Sequence, residues 1–211
     1  MESALRAGAG DPGLRLIETM LWDGAGLPRL ALHLQRLSRG AAALGWADPL
    51  PAARAALAGL RPDGPARVRL TYGTGGAAVE VGALPPAKAE WRLGLAPAWL
   101  SSADPWLSIK STRRAVYDAA RAALPDGLDE VIFLNERGEV CDATITTVFF
   151  DRGAGMRTPP LSSGLLPGVL RAELACKEEV LRAEDLPRVR LWVGNALRGL
   201  IPARWVGGDQ A

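Results

Sequence analysis

Leu30, Leu34, Leu37 and Ala41 recur at helical spacing in "LALHLQRLSRGAAALGW", which predicts a helix from about Leu32 to Leu44. Before it, "LRLIETMLWDG" (residues 14–24) reads as a strand entering a turn at Asp23-Gly24, and the chain returns through "LPRLAL". "DPLPAARAALAGL" predicts a second helix, with Asp48 able to cap it ahead of the prolines. "ARVRLTYGTGGAAVEVGAL" has the form of a hairpin, with strands over 66–72 and 77–82 and glycines at the turn.

"PPAKAE" has paired prolines and no period, so a linker is expected near residues 85–89. Beyond it, "WRLGLAPAWL" is strand-like, "SSADPWLS" is loop, and "TRRAVYDAARAAL" predicts a helix of about three turns. "DEVIFLNERGEVCDATITTVFF" carries the strongest β signal, two runs rich in Val, Ile, Thr and Phe around the turn "NERG". "LLPGVLRAELACKEEVL" reads as a loop delivering a helix, and "RVRLWVGNALRGLIPARWV" as strand, turn and closing strand. This order predicts an α+β protein of two lobes, 1–85 and 86–211, rather than a regular βαβ alternation. Two lobes also supply a cleft, where ligand sites tend to lie.

Composition changes this picture by exclusion. The 211 residues are 48% apolar and 23% charged, with a net charge of +2 and scattered basic residues, which excludes a nucleic-acid footprint. "MESALRAGAGDPG" lacks the apolar core of a signal peptide, and two cysteines (Cys141, Cys176) do not make a disulfide framework. A cytoplasmic protein is expected. The single histidine, His33, excludes a two-histidine metal site and HExxH chemistry, and no metal is expected. The plainest role for His33 is that of a residue near a helix start.

Lysine is rare. Lys88, Lys110 and Lys177 stand against twenty-two arginines. A guanidinium serves wherever only positive charge is needed, whereas an amine is required where nitrogen must lose its proton and attack carbon. Lys88 falls in the linker, and Lys177 sits beside Glu178 and Glu179 as a helix-surface residue. Lys110, in "SIKSTRRAVYDAA", stands at an expected helix entrance, where the positive end of the dipole disfavours an ammonium. It is either a surface lysine or a nucleophilic amine. In "SSGLLPGVLRAEL", Gly164 and Gly168 bracket a turn into a helix whose first N–H groups, from Val169 and Leu170, suit a phosphate or belong to an ordinary loop. Asp142 interrupts an apolar strand and is either solvated or paired. Arg36 is solvated or neutralises a phosphate, and "GNALRG" (194–199) offers further backbone donors.

"LIETMLWDG", "HLQRL", "RVRLTYG", "IKSTRRAVYDAA", "LDEVIFLNERGEVCDATITTVF", "RTPPLSSGLLPGVLRAEL" and "GNALRGLIPA" stand in the order of the class IV aminotransferases, and from about residue 14 to 205 the chain resembles that family of fold-type IV pyridoxal phosphate (PLP) enzymes. The resemblance implies a small N-terminal α/β lobe and a larger, sheet-rich C-terminal pseudobarrel lobe that binds PLP. It implies Lys110 as the Schiff-base lysine, Arg36, Val169, Leu170 and the turn at Asn195 and Ala196 as phosphate contacts, and Asp142 opposite the pyridine nitrogen. Two departures stand out: Asp142 replaces the family's glutamate, and Thr146-Thr147 replaces its Ser-Asn pair.

Within the family, the short start, "LIETM" and "NALRG" are most similar to the 4-amino-4-deoxychorismate lyases, which implies conversion of that substrate to 4-aminobenzoate and pyruvate. Arg69 and Arg114 are the candidate contacts for its carboxylates. A class IV transaminase of branched-chain or D-amino acids and a non-catalytic family member remain the alternatives. A homodimer acting on an amino-acid-like small molecule is the family's usual form.

Overall fold

A computed structural model of the protein describes residues 2–207; Met1 and residues 208–211, at the ends of the two expected lobes, lie outside them. The chain divides into two compact units. One runs to Pro86 and takes back Ile109–Arg113, while the other comprises Ala87–Ser108 and continues from Arg114. Lys110 therefore belongs to the first unit although it lies past the linker. The fold is α+β. Among the described residues no helix is long and apolar enough to cross a membrane.

The first unit contains α1 (Glu2–Gly8), β1 (Leu16–Trp22), α2 (Leu30–Leu44), α3 (Leu50–Ala58), β2 (Ala66–Gly73) and β3 (Gly76–Gly82). The strands form an antiparallel sheet in the order β1-β2-β3, with Glu18 opposite Leu70 and Leu70 opposite Val79. Helix α2 buries His33, Leu34, Arg36, Leu37, Gly40, Ala41 and Leu44. Gly40 lets α2 approach β1 closely, since a Cβ there would stand 3.1 Å from Leu16. Pro49, not Asp48, stands at the N-cap of α3, without a side-chain cap bond; Asp48, one residue earlier, accepts the Leu50 N–H at 3.1 Å.

The second unit contains β4 (Trp91–Leu100), α4 (Ala115–Ala122), β5 (Glu130–Asn135), β6 (Val140–Ala143), β7 (Thr147–Asp151), β8 (Arg157–Thr158), α5 (Val169–Leu174), β9 (Lys177–Glu178), β10 (Arg190–Asn195) and β11 (Gly199–Trp205). Its mixed eight-stranded sheet has the order β6-β5-β4-β11-β10-β7-β8-β9. Strand β5 is buried on both faces, which is why "EVIFLN" shows no alternation. Val131 and Phe133 pack with Ala96, Leu100, Ala120 and Leu165. Ile132 and Leu134 pack with Leu93, Val140, Val148, Leu191 and Val193.

Three elements differ from expectation. The helix expected from Thr112 begins only at Ala115, because the preceding residues are held as extended chain: Ser111 bridges Leu16, and the Thr112 N–H donates to the Arg15 carbonyl at 2.8 Å. The run from Val140 to Phe150 is two strands, β6 paired with β5 and β7 paired with β10, separated by a turn at Thr144–Thr146. Helix α5 stops at Leu174, where Ala175 turns left-handed (φ 46°), and Lys177 lies on β9 rather than on a helix surface.

Candidate active site

In the first unit the candidates gather on consecutive residues of β1. Lys110 runs along its edge, its carbonyl accepting the Ile17 N–H at 2.9 Å. The next residue, Glu18, is 1% exposed and takes Arg36 through two hydrogen bonds, from Nε at 2.9 Å and Nη2 at 2.6 Å. His33 Nδ1 lies 2.6 Å from the same carboxylate. Thr19 points to the opposite face and sits opposite Arg69 on β2. Burial alone would raise the Glu18 carboxyl; the Arg36 charge and the hydrogen bonds from His33 and Arg36 reverse this and hold it below the ordinary range. The Nε–Nη2 edge of Arg36 is thus occupied by Glu18. Lys110 lies five residues ahead of α4. A macrodipole acts within the first turn, so the helix-entrance rationale for this lysine does not hold in the fold. Its backbone is instead held beside β1.

In the second unit the candidates gather around the turn between β6 and β7. Asp142 is 6% exposed; Oδ1 accepts the Ala143 N–H and Oδ2 the Leu166 N–H, each at 3.2 Å, so it also anchors the loop that delivers α5. Gly168 precedes α5, and a Cβ there would stand 2.8 Å from Thr147 Oγ1. A Cβ on Gly194 would stand 2.6 Å from the Leu170 side chain and 2.6 Å from the Gly199 carbonyl. The start of α5, Thr147 and the β10–β11 turn therefore approach one another so closely that only glycine fits at two points. Asn195 joins them: its Nδ2 donates to the Ile145 carbonyl at 3.1 Å, and its Oδ1 accepts the N–H groups of Leu197 and Arg198 at 3.1 and 2.9 Å.

Arg114 is engaged within this unit. Its Nε donates to Asp118 at 2.7 Å and its Nη2 to the Thr144 carbonyl at 2.9 Å, with the guanidinium 5.7 Å over the Tyr117 ring. Burial and then Asp142 push the Tyr117 hydroxyl well above its ordinary range. The same two causes push the Cys141 thiol up to about 12, which makes it an inert buried group. Lys88 is paired with Asp129 at 2.8 Å and half exposed, and Lys177 is exposed.

Glu130 escaped the reading of the sequence. It is fully buried; Oε1 accepts from the N–H groups of Val131 and Thr144 and from the Thr144 hydroxyl, and Oε2 from the Ile145 N–H and the Thr146 hydroxyl. In the sequence Asp142 stands out as a carboxylate interrupting an apolar strand; Glu130 instead heads its strand, β5, next to an apolar run. The hydroxyl of Thr146 is turned inward to Glu130, so of the Thr-Thr pair it is Thr147 that faces Gly168.

The family model described as Amino-transferase class IV matches residues 15–206. A Schizosaccharomyces pombe protein named "Putative aminodeoxychorismate lyase" is 32% identical over 168 residues, 75% of this chain and 72% of its own length. A solved structure from Mesorhizobium loti, named "Putative amino-acid aminotransferase", is 42% identical with a TM-score of 0.83, covering 92% of this chain and 100% of the other. A hypothetical aminotransferase from Mycobacterium tuberculosis in its PLP-bound form is 25% identical with a TM-score of 0.78, covering 94% and 83%. The chain belongs to the class IV aminotransferase family and is an enzyme of the aminotransferase and lyase kind.

Proposed function

We propose that the protein is a PLP-dependent lyase that converts 4-amino-4-deoxychorismate to 4-aminobenzoate and pyruvate. The observation that carries the cofactor reading is the cradle at Gly168 and Gly194, where a Cβ would collide, next to a buried Asp142. These residues fit a phosphorylated pyridine. Backbone N–H groups of Val169 and Leu170 and the turn at Asn195 would hold the phosphate, and Arg36 would supply its countercharge. Asp142 would keep a proton on the ring nitrogen, and Lys110 would supply the amine that carries the cofactor. When bound, PLP supplies an electron sink for negative charge developing on the substrate.

The remaining chemistry belongs to the chain's own residues. The net reaction removes a ring hydrogen and releases the three-carbon side chain as pyruvate, leaving an aromatic ring. Lys110 is the amine that would move that proton, as base and then as acid. Arg69 and Arg114 would orient the substrate's carboxylates; the open edge of Arg114 is limited by its bonds to Asp118 and Thr144. The lyase reading is supported by identity to the S. pombe protein. The transaminase reading is supported by the higher identity to the M. loti protein. A cytoplasmic homodimer belongs to the same proposal, and sedimentation of the holoenzyme at twice the chain mass is the expected result.

The test is direct. Purified protein reconstituted with PLP should be yellow, and borohydride should fix the cofactor's mass on the peptide containing Lys110, whereas Lys110→Ala should fix none. Aminodeoxychorismate should then yield pyruvate and 4-aminobenzoate in equal amounts. Rapid bleaching by D-alanine or a branched-chain amino acid with no pyruvate from aminodeoxychorismate would select the transaminase. A protein that PLP leaves colourless would sink both, leaving a non-catalytic family member.

A further inference from the structure

The turn at Thr144–Thr146 carries Asp142 before it and Thr147 after it, and its backbone groups are taken up one by one. The N–H groups of Thr144 and Ile145 donate to Glu130 at 3.1 and 3.2 Å. The Thr144 carbonyl accepts from Arg114, and the Ile145 carbonyl from Asn195. The Thr146 carbonyl accepts the Ala143 N–H at 3.1 Å and closes the turn on itself. Both flanking threonine hydroxyls donate to Glu130 as well. The carboxylate is therefore the hub of the turn, since backbone N–H groups that neither strand can pair converge on it. A buried carboxylate is retained only if donors meet its oxygens, and here, besides the Val131 N–H and the Arg121 guanidinium at 3.6 Å, they come from the segment that ends at Thr147.

We propose that Glu130 is a positioning residue for the cofactor phosphate. It winds residues 144–146 into the turn that sets Thr147 against Gly168 and Ile145 against Asn195. It touches neither cofactor nor substrate; it acts through the turn. The role rests on the PLP reading above. It separates Glu130 from an ordinary buried carboxylate because it concerns one end of the ligand: disturbing the turn displaces the phosphate's neighbours and leaves the amine of Lys110 unchanged.

The test compares PLP with pyridoxal, which lacks the phosphate, on the full chain. In Glu130→Gln the amide nitrogen must face at least one N–H donor, and the turn relaxes. Affinity for PLP, followed by its absorption band, should fall about tenfold. Pyridoxal affinity should change far less, so the preference for PLP over pyridoxal shrinks. A general loss of folding would lower both alike. In the cofactor-free protein, hydrogen exchange at the Thr144 and Ile145 amides should accelerate by about tenfold. If Glu130→Gln does not fold, Thr146→Val removes one donor and leaves the carboxylate in place, with a smaller loss of about threefold in the same ratio. Wild-type protein that binds neither ligand overturns the cofactor reading, and this role with it. Wild-type binding with an unchanged ratio in the folded variants overturns the role of Glu130 alone.

Discussion

Two buried glutamates, one in each unit, solve the same problem differently. Glu18 is met by the charge of Arg36 in a forked pair and by a hydrogen bond with His33. Glu130 has the half-exposed Arg121 guanidinium 3.6 Å away, but its hydrogen bonds come from the N–H groups of residues 131, 144 and 145 and the hydroxyls of Thr144 and Thr146. An ion pair between helix and strand joins elements that have already formed, α2 and β1. A carboxylate bound by consecutive N–H groups creates local structure where there is no strand partner. The first kind fixes a side chain's direction, that of Arg36. The second fixes a backbone path, that of the turn before Thr147.

The largest expected effect breaks the first kind. Glu18→Gln leaves the Arg36 guanidinium buried without its countercharge and should cost about 3–5 kcal/mol in urea unfolding. Glu130→Gln leaves at least one buried N–H unpaired and should cost about 1–3 kcal/mol. The reverse order would end the distinction drawn between them. Gly194→Ala should fall in a similar range, about 1–3 kcal/mol, because the methyl group meets the Gly199 carbonyl as well as the flexible Leu170 side chain.

Acid sharpens the contrast at Glu18. Its folded carboxyl lies below the ordinary value of 4.5, so its stabilisation is fully present above that value and drains as pH falls through the lowered folded one. Unfolding measured from pH 6 downward should show a steeper loss in the wild type than in Glu18→Gln. An equal slope in the two proteins would mean that the pair contributes nothing to acid sensitivity. The smallest effect is expected at Lys88→Gln, which breaks a half-exposed pair with Asp129 and should cost no more than about 1 kcal/mol, with no change in PLP uptake.

The β1 strand, α2, the β2–β3 hairpin and the β10–β11 hairpin were legible because each carries a local period or turn chemistry that burial then uses. The split of the run from Val140 to Phe150 was not. Thr144, Ile145 and Thr146 have strand propensity, and the donors that bend them are answered by a residue fourteen to sixteen positions earlier. The full length expected for the helix after Lys110 failed for a related reason. Ser111 and Thr112 suit a helix entrance but pair with β1, ninety-five or more residues earlier.

Lys110, Arg36, Asp142 and the glycines before α5 could be singled out from the sequence alone, because residue chemistry and motif order are local properties that survive without coordinates. Their partners could not. The choice of Glu18 for Arg36, Glu130 for the turn, and Leu166 for Asp142 was made by the tertiary structure. A buried charge must find its donors in whatever chain the fold brings beside it, and sequence distance carries no record of that.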